Sequence, residues 1–202
     1  MAVALSVTVG SSCAVFVGLR LLRTREPQLR TLLLAGSVAS YAILLWARPG
    51  SLWLSDAGVL LVAIAGAFML GSLLKNKGAV VTFCVAAAVA DVLSFSGGLT
   101  RHLLDQYRGS SEVLPYLAVF SPIDGESVPI IGMGDLIVTG ALFLALERIG
   151  FRTPEVGTVL IFTIVAALIV GWIVGGVPAI PFIAGGVIAY VGFWLDRSAR
   201  ID

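Results

Sequence analysis

Seven apolar runs of about 16 to 20 residues, each bounded by a short cluster of charge, constrain this chain more than any other feature. That is the length a helix needs to cross roughly 30 Å of hydrocarbon. Across the chain 58% of residues are hydrophobic and 12% are charged, against about 45 to 50% and 25% in soluble domains. The runs use up almost all of the sequence and leave no room for a separate soluble domain. The expected fold is all-α: a polytopic membrane helical bundle of about seven transmembrane helices, forming a single membrane domain.

In chain order, the first helix is expected over about Ala2 to Leu19, followed by a basic stretch in which Pro27 breaks any continuing helix. The second runs from about Thr31 to Ala47 and stops at Arg48-Pro49-Gly50. The third covers about Ala57 to Leu74, with Asp56 placed to cap its start. These three form an N-terminal part, residues 1–78. A four-helix part, residues 79–202, opens with a helix over about Ala79 to Ser96 that ends at Gly97-Gly98. A long connection over 97–128 follows, and loops of that length in compact chains usually carry function. The fifth helix is expected from Pro129, a residue suited to a first turn, to Leu146. The sixth runs from about Glu155 to Val174 before Gly175-Gly176, and the seventh from Pro178 to Leu195.

Charge and cysteine usage narrow the function classes. Cys13 and Cys84 both lie within apolar runs and read as small buried hydrophobes rather than a disulfide or a metal site. His102 is the only histidine, so a zinc protease would lack ligands and no metal or cofactor is expected. A net charge of +1 without a basic tail argues against nucleic acid as a partner. The first run lacks a basic leader and is long for a signal peptide, so it reads as a retained span. Orientation follows from Lys and Arg, which concentrate on the cytoplasmic side. With the N-terminus outside, Arg20, Arg23, Arg25, Arg30, Lys75, Lys77, Arg148, Arg152, Arg197 and Arg200 all fall inside, ten of the thirteen basic residues. The C-terminus is then cytoplasmic and the long loop lies outside.

Two acids stand within the apolar runs. Asp91 is about five residues before the outer end of the fourth helix and Asp135 six after Pro129, so at 1.5 Å per residue they lie roughly 7 and 9 Å deep. A carboxylate in hydrocarbon costs about 2.5 to 3.5 kcal/mol on insertion scales, and chains that carry one normally use it. If the fourth and fifth helices pack together, the two acids can face each other. The alanines before Asp91, with Gly132, Gly134 and Gly140, are small enough to let helices approach closely. Two adjacent carboxylates in a low-dielectric site share a proton. That is what an aspartic protease needs: one acid takes a proton from water and the other polarises the peptide carbonyl. A third feature enters from the same side, Pro178-Ala179-Ile180-Pro181, whose two prolines loosen the backbone.

Other readings of these residues stay open at this level. Asp135 caps a helix that begins late, or Asp91 is a buried acid bonded to Ser94 or a neighbouring helix, or both line a proton or cation path. Proline at a helix start is also ordinary. Asp56, Glu147 and Asp196 sit at expected helix ends and read as solvated boundary residues. His102 and Asp105, within the amphipathic stretch from Leu99 to Tyr107, read as part of an interfacial segment.

Gly132-Met-Gly-Asp135 resembles the Gly-x-Gly-Asp motif of the presenilin and signal peptide peptidase family of intramembrane aspartyl proteases. The run from Gly132 to Phe143 looks most like signal peptide peptidases, and Pro178-Ala179-Ile180 is similar to the family's Pro-Ala-Leu motif. The resemblance covers about Ala79 to Leu195. It implies Asp91 and Asp135 as the catalytic pair, Gly132, Gly134, Pro178, Ala179 and Ile180 at the substrate site, and no cofactor. The implied substrate is a transmembrane peptide or protein, cleaved in the bilayer after its helix unwinds. The loop before the fifth helix would pair with that segment as a strand. Ala90 stands where family members commonly have Tyr, Ile180 replaces Leu, and seven spans stand where nine are typical. Prepilin peptidases also carry Gly-x-Gly-Asp, but with a lysine where this chain has Ile137. The alternatives are a proton- or ion-coupled transporter using the same acids, and an inactive homologue that binds helices. The loop-poor chain is compatible with a prokaryotic plasma membrane.

Overall fold

The computed structural model describes residues 1–47, 51–98, 116–123, 126–174 and 177–198. Seven helices and one hairpin run through these segments: α1 Ala2–Arg23, α2 Pro27–Ala47, α3 Leu52–Leu73, α4 Lys77–Gly97, β1 Ala118–Ile123, β2 Glu126–Gly132, α5 Met133–Ile149, α6 Thr153–Val174 and α7 Ile180–Ser198. The chain is thus a helical bundle with one small sheet. Five of the helices (α1, α2, α3, α4 and α6) are long and apolar enough to cross a membrane. Large apolar side chains cover the outside of the bundle, including Leu32, Leu73, Phe162 and Ile173, an exterior that water does not tolerate over such an area. The stretch 99–107 with His102 and Asp105, Arg48-Pro49-Gly50, Gly175-Gly176 and the Asp196 side chain lie outside the described features.

Several element boundaries differ from expectation. Helix α1 ends at Arg23, before Pro27 as expected, but α2 starts at Pro27 itself rather than near Thr31, since the missing N–H of a first-turn proline has no helical partner there. Helix α3 begins at Leu52, which leaves Asp56 inside it and not at its cap. Most consequentially, Pro129 is in a strand. β1 and β2 pair antiparallel, with Phe120 opposite Pro129, Val119 opposite Ile131 and an irregularity between them. A proline cannot donate to a ladder, so it sits at an edge or a bulge. Part of the expected long loop is therefore this hairpin, and α5 begins only at Met133. Its 17 residues span about 25 Å, so β2 carries the chain over the rest of that side. Gly150, at φ 102°, closes α5 in the left-handed conformation that favours glycine.

Helix α5 is the centre of the bundle. It packs chiefly on α3, so the N-terminal three helices and the later ones share one core. The contact is made by small residues. Ala63, Ala67 and Gly71 stand one turn apart on α3, and a Cβ at Gly71 would lie 2.7 Å from the Ala141 carbonyl oxygen of α5. Conversely, a Cβ at Gly140 would lie 2.7 Å from Cβ of Ala67 and 2.8 Å from Val15 of α1. Gly140 thus serves the approach to α3 and α1 rather than to α4. Beside this crossing Phe16 and Phe143 stack with ring centroids 4.3 Å apart. Helices α4 and α6 each lean mainly on α7, while α2 touches chiefly α3 and buries no residue.

At the end of the bundle where α1 and α5 finish, Glu147 is far from solvated. Its side chain is 11% exposed and lies 2.8 Å from Arg23 and 3.7 Å from Arg20, and it accepts a 3.0 Å hydrogen bond from Thr153. The sequence places it at a helix end but does not show that α1 ends beside it. Cys13, expected to be buried, is instead exposed on the apolar exterior of α1, whereas Cys84 is buried as expected.

Candidate functional site

At the opposite end, where α5 and α7 begin and α4 and α6 finish, a cavity of about 640 Å³ opens among α1, α4, α5, α6, α7 and the hairpin. Asp91, Gly132, Gly134, Asp135, Pro178, Ala179 and Ile180 all line it. Every site residue anticipated from sequence is thus brought to one place. The helices carrying the acids do not pack closely together; α4 and α5 face each other mainly across the cavity.

Each carboxylate is held by a backbone N–H at a helix start. Asp135 is the third residue of α5, and its Oδ2 accepts from the N–H of Gly132 at 3.3 Å. This is the reciprocal bond of a capping box, so the late-starting helix considered from sequence is realised, and Pro129 to Gly132 run as strand rather than as helix. The helix is then completed on the other side of the acid: Thr139 donates to the Asp135 carbonyl oxygen at 2.6 Å. Asp91 lies six residues before the end of α4, and its Oδ2 accepts from the N–H of Ile180, the first residue of α7, at 3.0 Å. Ile180 owes that N–H to the break at Pro178-Ala179, since first-turn donors have no partner within their own helix. The proline-loosened segment therefore orients one acid as well as lining the cavity.

Electrostatically, both acids face the positive ends of helix dipoles, those of α5 and α7, which favour negative charge. Against this stands their own mutual repulsion across one partly enclosed space. Among the described residues the second oxygen of each carboxylate, Oδ1, makes no hydrogen bond to protein. Gly134 has nothing within 4 Å of where a Cβ would stand, so the backbone beside Asp135 is open to the cavity. The remaining wall is mostly apolar: Ile164, Ala167, Leu168 and Trp172 of α6, Ala4 of α1, and Ile130 and Ile131 of β2, with Thr8 of α1 as a polar exception. Trp46, Trp53 and Trp172 are exposed at this same end, where the aromatic belt of a membrane protein lies.

Sequence reasoning missed how the hairpin is fastened. The Asp56 side chain, expected to be solvated, accepts from the N–H of Phe120 in β1 at 3.0 Å. The Tyr41 hydroxyl of α2 donates to the carbonyl oxygen of Tyr116, and the N–H of Met133 donates to that of Leu117 at 2.8 Å. An acid on an apolar helix was the visible signal for Asp56; its partner, a backbone amide 64 residues away, was not. Replacing Asp56 by Ala is expected to speed amide exchange at Phe120 by about tenfold or more. Asn, which keeps the acceptor, leaves exchange near the wild-type rate in hydrogen-exchange mass spectrometry.

Comparison with protein-family models, with characterised proteins and with solved structures finds no match to this chain.

Proposed function

We propose that this chain is an intramembrane aspartyl protease that hydrolyses peptide bonds within transmembrane segments. The observation that carries the reading is that Asp91 and Asp135, on separate helices, line one apolar cavity together with Gly132-Met-Gly134 and Pro178-Ala-Ile180. The Gly-x-Gly-Asp and Pro-Ala resemblance to the presenilin and signal peptide peptidase family supports the same assignment. In this reading all seven helices cross the bilayer, with the N-terminus outside and the C-terminus in the cytoplasm. The cavity then faces the outer leaflet, and α5 crosses with help from β2.

The chemistry needs one acid ionised and the other protonated. The ionised carboxylate removes a proton from water as the oxygen attacks the peptide carbonyl carbon. The protonated acid donates its hydrogen to the carbonyl oxygen, giving a tetrahedral diol. Collapse of the diol breaks the C–N bond as a proton passes to the leaving nitrogen. The backbone bonds from Gly132 and Ile180 hold one oxygen of each acid and turn the other toward the reacting carbonyl. A helical substrate hides its carbonyls in its own hydrogen bonds, so it must unwind before attack. The apolar walls suit the side chains of such a segment, and β2 beside the cavity offers backbone groups to pair with it.

A hydroxyl-bearing peptide isostere that mimics the tetrahedral diol tests this without knowledge of the natural substrate, since catalysts bind such mimics far more tightly than substrates. A photoactivatable isostere is expected to label the detergent-solubilised chain, with label on the residues flanking Asp135, and the matching peptide lacking the hydroxyl is expected not to compete. Loss of labelling on addition of the peptide that lacks the hydroxyl would count against a protease.

A further inference from the structure

We propose that the end of the bundle opposite the cavity carries a binding site for the phosphate headgroup of an anionic lipid, formed by Arg30 and Arg148 on the ring of Phe68. This inference rests on the membrane character of the bundle and is independent of the protease reading.

Phe68 of α3 is buried, and two guanidinium groups from different helices sit on it. That of Arg30, from α2, lies 5.3 Å from the ring centroid and that of Arg148, from α5, lies 5.6 Å. Arg23 and Arg30 are both near enough for their charges to act repulsively on Arg148. The nearby carboxylate is Glu147, and it is already engaged by Arg23, Arg20 and Thr153. Among the described residues no acid pairs with Arg30 or Arg148. An aromatic face attracts a cation but does not neutralise it, so two guanidiniums on one ring are left without a paired carboxylate among the described residues.

Helix polarity sharpens the point. Arg148 lies in the last turn of α5, where a cation is favoured, but Arg30 is the fourth residue of α2, near the positive end of a helix dipole where it is disfavoured. A bound anion resolves both the mutual repulsion and the misplaced charge. Guanidinium groups suit phosphate oxygens through paired, charge-assisted hydrogen bonds.

The surface beside the cluster selects a lipid over a free anion. Helix α2 buries none of its residues, and Leu33, one turn beyond Arg30, is exposed, as is Leu32. Acyl chains lying along α2 would place their phosphate at Arg30.

The full-length chain is placed in nanodiscs of phosphatidylcholine, with or without phosphatidylglycerol, and its unfolding midpoint is read from tryptophan fluorescence. Phosphatidylglycerol is expected to raise the midpoint of the wild type and of Arg25→Gln, a control at an exposed arginine outside the cluster. It is expected to leave Arg30→Gln/Arg148→Gln unmoved, and native mass spectrometry should show anionic lipid retained about tenfold less by that variant. If the double variant does not fold, lipid retention by Arg148→Gln alone decides in the same way. The proposal is overturned if phosphatidylglycerol does no more than phosphatidylcholine. It is likewise overturned if Arg25→Gln loses as much as the cluster variant, or if inorganic phosphate added to phosphatidylcholine discs stabilises equally.

Discussion

Asp135→Asn and Asp91→Asn each reduce cleavage of a reconstituted fluorogenic transmembrane peptide by at least about 10² to 10⁴-fold, the range that a positioned acid or base supplies. The double variant is no worse than either single one, because the two acids act as a unit and losing one already removes the step. Asparagine is the informative replacement at both positions. Its side-chain oxygen still accepts from Gly132 or Ile180, whose N–H groups hold the native acids at 3.3 and 3.0 Å, so the starts of α5 and α7 keep their caps. What it cannot do is exchange a proton. Alanine, by contrast, removes both the proton and the cap, and an unpaired donor at a helix start costs about 0.5 to 2 kcal/mol on its own. The expected signature is therefore that Asn variants unfold near the wild-type midpoint without activity, while Ala variants lose stability too. Undiminished cleavage in Asp91→Asn would remove Asp91 from the pair and return it to the role of capping α7.

The sequence made the helices plain because a bilayer-length apolar run admits few structures. It also made the acids plain, because each stands alone in such a run. What could not be read was any partner set by tertiary structure. Asp91 meets Ile180 across 89 residues and Asp56 meets Phe120 across 64. No local pattern encodes either contact. The hairpin was missed for another reason. Pro129 is a good first-turn residue and equally a good edge-strand residue, and the β-branched Val128, Ile130 and Ile131 around it were the signal that favoured the strand. Starting the helix at Pro129 concealed the capping bond of Asp135. Glycines were similarly ambiguous: Gly134 borders the cavity, Gly140 admits α1 and α3, and spacing alone does not separate the two uses.

Gly71 yields the largest expected effect on stability. A methyl group there meets the Ala141 carbonyl oxygen at 2.7 Å, the Ala141 Cα at 3.1 Å and Leu144 Cβ at 3.2 Å. Two of the three are backbone atoms, which cannot move aside as a side-chain tip would, so α3 and α5 must separate. Gly71→Ala is expected to destabilise by about 1 to 3 kcal/mol, as overpacked cores generally do, and Gly71→Leu to prevent folding. Gly10→Ala provides the contrast: nothing lies within 4 Å of a Cβ at that position, and alanine in a helix interior is favoured over glycine by up to about 1 kcal/mol. Thermal unfolding in detergent micelles measures both. The Gly71 effect extends beyond stability, because α3 also holds β1 through Asp56, and Met133, the first residue of α5, bonds to the Leu117 carbonyl just before β1. Parting α3 from α5 pulls that frame away from the acid it positions. Under the protease reading, Gly71→Ala therefore lowers peptide cleavage by more than its folded fraction accounts for, while Gly10→Ala leaves cleavage per folded molecule unchanged. Equal specific activity in the two variants would show that the α3–α5 crossing holds the bundle together without setting the geometry of Asp135.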